Sequence, residues 1–217
     1  MLTVSTYNNN VNSVNIFYEM KYHHGDLKGA LVKSACIVCE KSGYEKLSLR
    51  SIAKEANVSQ TAPYRHFKTK QDLLAEVAKC GFEELRQNMK KSLQKNKDLN
   101  AKEKFIEMGM EYLNFGLNKQ KTFDLMNHAD LYFPDFPELE KSANATFALL
   151  VDGMLNLMPN LSEDELKSEC IKNWAMITGL VSILRKETDG ASETPAGIAI
   201  DFVKKDVKKF LETVISS

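Results

Sequence analysis

From Gln60 to Lys70 the chain reads Gln-Thr-Ala-Pro-Tyr-Arg-His-Phe-Lys-Thr-Lys, a set of side chains suited to holding nucleic acid. Gln60 and Thr61, placed at the start of a short helix, are of the types that reach base edges in a DNA major groove. Arg50, a little upstream, is a third candidate base reader. Tyr64, His66, Lys70 and Ser48 are suited to phosphate oxygens, and Arg65 serves either a phosphate or an intramolecular ion pair. The positive end of the helix that Lys70 opens adds to its pull on an anion.

No other constellation in the chain points to chemistry of comparable definition. Cys36 and Cys39 form a Cys-x-x-Cys pair on one helix face, but Cys80 and Cys170 are distant and show no paired metal-ligand spacing. The four cysteines therefore read as reduced helix thiols. His23 and His24 match no zinc motif, though at the start of the first helix they are placed to meet a phosphate. His128 reads as a partly packed polar residue. There is no Gly-x-Ser-x-Gly, no His-Glu-x-x-His, no phosphate-binding loop and no Gly-x-Gly-x-x-Gly. The expectation is a protein that is not an enzyme and uses neither cofactor nor metal.

The elements that must position these residues are helical. Apolar spacing starts at Asp26, with Leu27, Leu31, Ser34 and Val38 on one stripe and Ala30 and Ala35 beside it. Gly43 ends this helix at the position where a left-handed backbone is least costly for glycine. Ser48 caps a second helix, Leu49 to Ala56, whose Leu49, Ile52, Ala53 and Ala56 face inward. Asn57 takes the turn, Val58 plugs the core, and Ser59 is expected to cap a third helix through Phe67, with Pro63 near its first turn. Thr69 opens a fourth helix, Asp72 completes a box-like cap, and Leu73, Leu74, Val77, Ala78, Gly81 and Leu85 form its inner stripe. Two short helices around a tight turn make a helix-turn-helix pattern.

Charge supports that placement. The 217 residues hold 29 Lys and Arg against 29 Asp and Glu, yet Lys21 to Lys70 contains ten basic and four acidic residues. A basic N-terminal third on an acidic remainder suggests a polyanion-binding head.

The motifs Tyr22-His23-His24-Gly25-Asp26-Leu27, Leu49-Arg50-Ser51-Ile52-Ala53, Asn57-Val58-Ser59 and Ala62-Pro63-Tyr64-Arg65-His66-Phe67, followed by Lys70, resemble the TetR family of bacterial transcriptional regulators. Asn57 stands where that family usually has glycine, and asparagine tolerates the same turn. The resemblance implies a three-helix DNA-binding head, a connecting helix, and a larger helical body that dimerises and holds a small-molecule pocket. It also implies a near-palindromic operator, a repressor's role, and ligand control through tilting of the connecting helix. Trp174-Ala175-Met176-Ile177-Thr178-Gly179-Leu180 is similar to the Trp-His-Gly signature of one branch of family C-terminal domains, with Thr178 in the histidine's place.

The expected organisation is an N-terminal arm (1–20), a helix-turn-helix domain (21–68), a connecting helix (69–97) and a ligand-binding and dimerisation body (98–217). Helices are expected at Ala101–Gly116, Thr122–Leu131, Pro137–Met158, Ser162–Lys186 and Pro195–Val214, giving an all-α chain of about nine helices. Residues 131–137 form an aromatic, proline-broken loop and 188–194 a polar connector. Small residues Ala175, Gly179 and Ser182 would let another helix approach closely. Met108, Tyr112, Phe115, Phe123, Met126, Phe147, Met154 and Trp174 are the candidate pocket lining, because methionine and aromatic walls adapt to apolar ligands; each also fits ordinary packing. No apolar run spans a membrane and the first twenty residues are not a secretory signal, so a cytoplasmic protein is expected. Met20 is an alternative translation start, which the intact mass decides. A helical enzyme or a protein-binding adaptor with a basic head is the competing reading; the enzyme would show Glu-x-x-His pairs on facing helices, and none is present.

Overall fold

The computed structural model describes residues 26–128, 131–186 and 194–215. The expected arm at 1–20, the Tyr22–Gly25 motif and residues 188–193 of the connector lie outside them. Nine α-helices and no strand occur among the described residues: α1 Leu27–Ser42, α2 Leu49–Glu55, α3 Lys70–Lys95, α4 Ala101–Asn118, α5 Gln120–Met126, α6 Pro137–Leu157, α7 Glu163–Leu184, α8 Pro195–Lys205 and α9 Val207–Val214.

Side-chain caps start most of these helices. The Asp26 carboxylate accepts from Gly29 N at α1, while Ser48 with Ser51, Thr69 with Asp72, Asn100 with Glu103 and Ser162 with Glu165 form reciprocal capping boxes. Each box satisfies two N–H groups that a helix start leaves unpaired. Gly43 ends α1 at φ 89°, ψ 154°, a combination open to glycine alone, and its N–H donates to Cys39 O. Asn57, at φ 54°, is the only non-glycine residue with positive φ among the described residues.

Two expected helices are corrected. The segment from Ser59 to Phe67 is not an α-helix but a tight turn at 59–62 leading into one 3-10 turn, Pro63–Arg65. Pro63 has no N–H to give to Ser59 O, and that carbonyl accepts from Ala62 N instead. The Ser59 hydroxyl meets Thr61 Oγ1 at 3.3 Å rather than capping backbone. Farther on, the single helix expected over Pro195–Val214 breaks at Asp206, whose backbone leaves the helical region (φ −156°, ψ 84°) and whose side chain caps α9 by accepting from Lys209 N. The total of nine stays the same because one helix is lost and one is split. The Thr122–Leu131 helix is also shorter than expected, starting at Gln120 and ending at Met126.

One continuous core runs from head to body. Leu31, Ala35, Leu47, Ile52, Phe67 and Leu73 close the head, while Leu85, Phe105, Leu113, Leu125, Leu139 and Leu211 fill the body. The long helix α3 joins the two, packing on α1 at one end and on α4, α5 and α6 along its length. Gly81 lies where α5 crosses it: a Cβ there would come within 2.6 Å of Met126 Sδ and 2.9 Å of Thr122 Cγ2. Sequence spacing puts Gly81 on the inner stripe of this helix, and close helix approach is what the position requires.

Candidate functional site

Two sites stand out, one at each end of the core. In the head, Ala62, Pro63 and Phe67 are buried, so the residues between and around them point outward. Gln60, Thr61, Tyr64, Arg65 and His66 are all exposed, with Tyr64 at 55%. Ser48 and Arg50 are exposed at the start of α2. Seven of the eight candidate contact residues thus lie open to solvent. The eighth, Lys70, is partly buried, and its ammonium donates to Glu45 O at 3.1 Å. Arg65 forms no ion pair within the described residues, so its intramolecular alternative has no partner among them.

In the body, a cavity of about 490 Å³ opens between α3, α4, α6, α7 and α9. Of the eight residues proposed from sequence, Met108, Tyr112, Met126, Phe147 and Trp174 line it. Phe115, Phe123 and Met154 do not; they are buried in the surrounding core. The difference is one of helix face. Phe115 and Phe123 pack at the α4–α5 junction, where Arg185 lies over the Phe123 ring at 5.2 Å. Sequence reasoning does not find Phe82, Leu85 and Met89, because the inner stripe of α3 is ordinary core over its other turns. It also misses Leu211 and Ile215, which close one side from α9 and beyond.

Tyr112 and Trp174 give the cavity its polar handles. Tyr112 OH lies 2.9 Å from Thr178 Oγ1. Burial pushes the Tyr112 phenol above its ordinary range, although hydrogen bonds to Thr178 and Trp174 act in the opposite direction. The phenol is therefore a neutral donor and acceptor near neutral pH. Trp174 packs edge to face on Phe147, with centroids 5.9 Å apart, and is 42% exposed.

Helix α5 connects the cavity to the head. At its start, Glu40 of α1 accepts from Thr122 N at 3.3 Å and from Thr122 Oγ1 at 2.8 Å. Just beyond its end, His128 lines the cavity and meets Tyr44 of the head edge to face, 4.8 Å between centroids. Tyr44 begins the short turn whose Glu45 carbonyl receives Lys70. On the opposite side Arg185 holds α5 to α7: it donates to Gly116 O at 2.6 Å and Gln120 O at 3.2 Å and pairs with Asp124 at 2.5 Å. No sequence signal marks these roles of His128 and Arg185, since each acquires its role from residues more than 60 positions away.

The cysteines are distributed through the packing. Burial, with help from Glu40, pushes the Cys39 thiol up to about 12. Cys36 and Cys80 hydrogen-bond across α1 and α3, which raises Cys36 and lowers Cys80. No group of three or more metal-ligating side chains occurs among the described residues, and no helix there is long and apolar enough to cross a membrane.

Among the described residues the protein is helical throughout, with a head of α1, α2 and the 3-10 turn Pro63–Arg65 mounted on a cavity-bearing body. Residues 31–77 match the family of bacterial regulatory proteins described as the tetR family. No curated protein matches the chain. Among solved structures, a protein of unknown function from Rhodococcus sp. RHA1 has a TM-score of 0.66 at 23% identity, covering 88% of this chain and 98% of its own. The fatty acid degradation regulator FadR from Bacillus halodurans has a TM-score of 0.60 at 14% identity over 88% and 96% of the two chains. The TetR family transcriptional regulator PfmR from Thermus thermophilus has 0.55 at 14% over 83% and 96%. Residues 31–77 thus match the tetR-family model, and over the covered residues the fold is that of these solved structures.

Proposed function

We propose that this protein is a sequence-specific DNA-binding transcriptional regulator, a homodimeric cytoplasmic repressor released from a near-palindromic operator by a small apolar ligand. The observation that carries the reading is the exposed set Gln60, Thr61, Tyr64, Arg65 and His66, held outward by buried Ala62, Pro63 and Phe67 within a segment that matches the tetR family. Gln60, Thr61 and Arg50 are assigned to bases. Ser48, Tyr64, Arg65, His66 and Lys70 are assigned to phosphates. Residues 21–68 serve as the DNA-binding domain, 69–97 as the connecting helix and 98–217 as the regulatory body. Trp174–Leu180 is the segment that would place the body in the Trp-His-Gly branch.

Two further features support dimerisation and control. Ile171, Ala175, Gly179 and Ser182 lie exposed along one side of α7, and Ile198 (58%) and Phe202 (70%) are exposed on α8. Exposed apolar and small residues of this kind suit a helix-packing interface. Ligand in the cavity would bear on Met126 and His128 and reach the head through Tyr44 and Glu40, a coupling of about 1–3 kcal/mol in typical cases.

Lys70→Ala and Thr61→Ala separate the assigned roles. Losing one phosphate contact per protomer should weaken binding to all duplexes alike and lower the slope of log K against log salt by about one per protomer. Thr61→Ala should instead change preference at particular base pairs by about 1–3 kcal/mol. A Thr61→Ala protein that keeps the same sequence preference with uniformly lower affinity would overturn its assignment to bases.

A further inference from the structure

We infer that the body cavity selects an uncharged ligand, a compact aromatic or polycyclic molecule whose hydrogen-bonding group is a hydroxyl, carbonyl or amide, and that it rejects both carboxylates and ammonium ions. The inference rests on reading the cavity as the effector site and names the chemistry that site accepts. Its volume of about 490 Å³ admits a ligand of about 20 non-hydrogen atoms at interior packing density.

No Asp, Glu, Lys or Arg lines the cavity among the described residues. Its apolar floor is built from α3, α4 and α9, with Phe82, Met89, Phe105, Met108 and Leu211 among the contributors. An ion brought onto that floor would lose its hydration with no carboxylate, ammonium or guanidinium beside it, a costly form of burial. The one imidazole, His128, already meets the Tyr44 ring.

Beside His128, the polar groups that line the wall carry no charge. They are the amides of Asn127, Asn144 and Asn173, the Thr146 hydroxyl, the Tyr112 phenol and the Trp174 indole. Thr146 Oγ1 is engaged with Phe82 O and Ser142 O, and Tyr112 with Thr178. The amides of Asn127 and Asn173 each donate one N–H to a backbone carbonyl within their own helical turns. That leaves each a carbonyl oxygen and a second N–H, a pairing that suits a neutral group with both donor and acceptor character. Asn127 and Asn144 are exposed residues, so this polar end lies toward solvent while the aromatic floor lies deeper.

A matched series of probes tests the inference on the intact protein. The three are 1-pyrenemethanol, 1-pyrenecarboxylate and 1-pyrenemethylammonium, which share one ring system and differ in charge. Trp174 is the only tryptophan in the chain and lies on the cavity wall, so quenching of its emission by the pyrene reports binding. Near neutral pH the alcohol should bind at least about 100-fold more tightly than either ion. Filling the cavity by Gly109→Leu should abolish that binding; a Cβ at Gly109 meets Leu211 at 3.5 Å and Ile177 at 3.8 Å, ordinary contacts. Asn144→Lys, at an exposed wall position, should raise carboxylate affinity at least about tenfold relative to the alcohol.

Carboxylate or ammonium binding as tight as the alcohol in the unmodified protein would overturn the ligand class and leave the cavity as the site. Absence of binding by all three probes, or alcohol binding that survives in a folded Gly109→Leu protein, would overturn the cavity reading and the inference with it.

Discussion

Gly179 allows the proposed dimer face to be tested by the sign of a single methyl group. It lies in the interior of α7, is exposed, and an added Cβ would meet nothing within 4 Å in one protomer. On a helix facing only water, Gly179→Ala should stabilise the fold by about 1 kcal/mol. For a chain of this size that amounts to a rise in Tm of about 2–4 °C. If α7 instead crosses its copy at this point, two added methyls enter a packed crossing, at a cost of about 1–3 kcal/mol. The dimer dissociation constant should then rise about 5- to 150-fold, since each 1.4 kcal/mol is about tenfold. Sedimentation equilibrium measures that constant directly, and melting at two protein concentrations checks it. Gly109→Ala is the control, because its Cβ makes only ordinary contacts inside one protomer; it should raise Tm with no change in association. A Gly179→Ala protein with a Tm about 2–4 °C higher and an unaltered dimer constant would refute the assignment of this face.

The head and its links to the body yield further predictions. Asn57→Val forces a β-branched residue into a left-handed turn at φ 54° and should cost about 1–3 kcal/mol by urea denaturation. Glu40→Ala strands the Thr122 N–H and hydroxyl, and should cost about 1–3 kcal/mol while reducing the effect of ligand on operator affinity, measured by fluorescence anisotropy with and without 1-pyrenemethanol. Burial favours the protonated form of Glu76, but hydrogen bonds and charge from Lys28 and Lys79 prevail and hold its carboxyl below the ordinary range. A carboxylate lowered on folding stabilises above its unfolded pKa and loses that contribution as pH falls through the folded value. Melting scans should therefore show Glu76→Gln less stable than the parent near neutrality, with the gap closing below about pH 4. Under iodoacetamide, Cys80 should react before Cys39, whose thiol stays protonated at working pH.

Much of the head is legible in the sequence because its signals are local. Ser48, Thr69 and Asn57 each act through backbone groups within three residues, so residue type and spacing are enough to place caps and turn. The segment 59–67 reads as a full helix because Ser59 is of a capping type and Pro63 falls near the first turn; a missing N–H at Pro63 is tolerable there, whereas here it leaves mainly three-residue bonds. Asp206 escapes the sequence for a related reason, since the amphipathic pattern continues across it and only its non-helical backbone shows the break. The cavity is legible in part. Met108 and Tyr112 on α4 share a face with it, while Phe115 on the same helix is buried outside the lining. Helix periodicity tells which residues face inward but not which inward direction meets empty space. The α5 couplings through Glu40, Tyr44, His128 and Arg185 bridge about 60 to 85 positions, and nothing in their immediate sequence encodes the partner.

The central claim is that the exposed residues of the head read a symmetric DNA sequence. Selection of duplexes from a random library by the purified protein, at a salt concentration of about 150 mM where phosphate contacts alone hold weakly, tests it most directly. The expected result is an enriched near-palindrome with half-sites about one helical turn apart, lost when Gln60 and Thr61 are both replaced by alanine. Folded, ligand-free protein that enriches no sequence would contradict it.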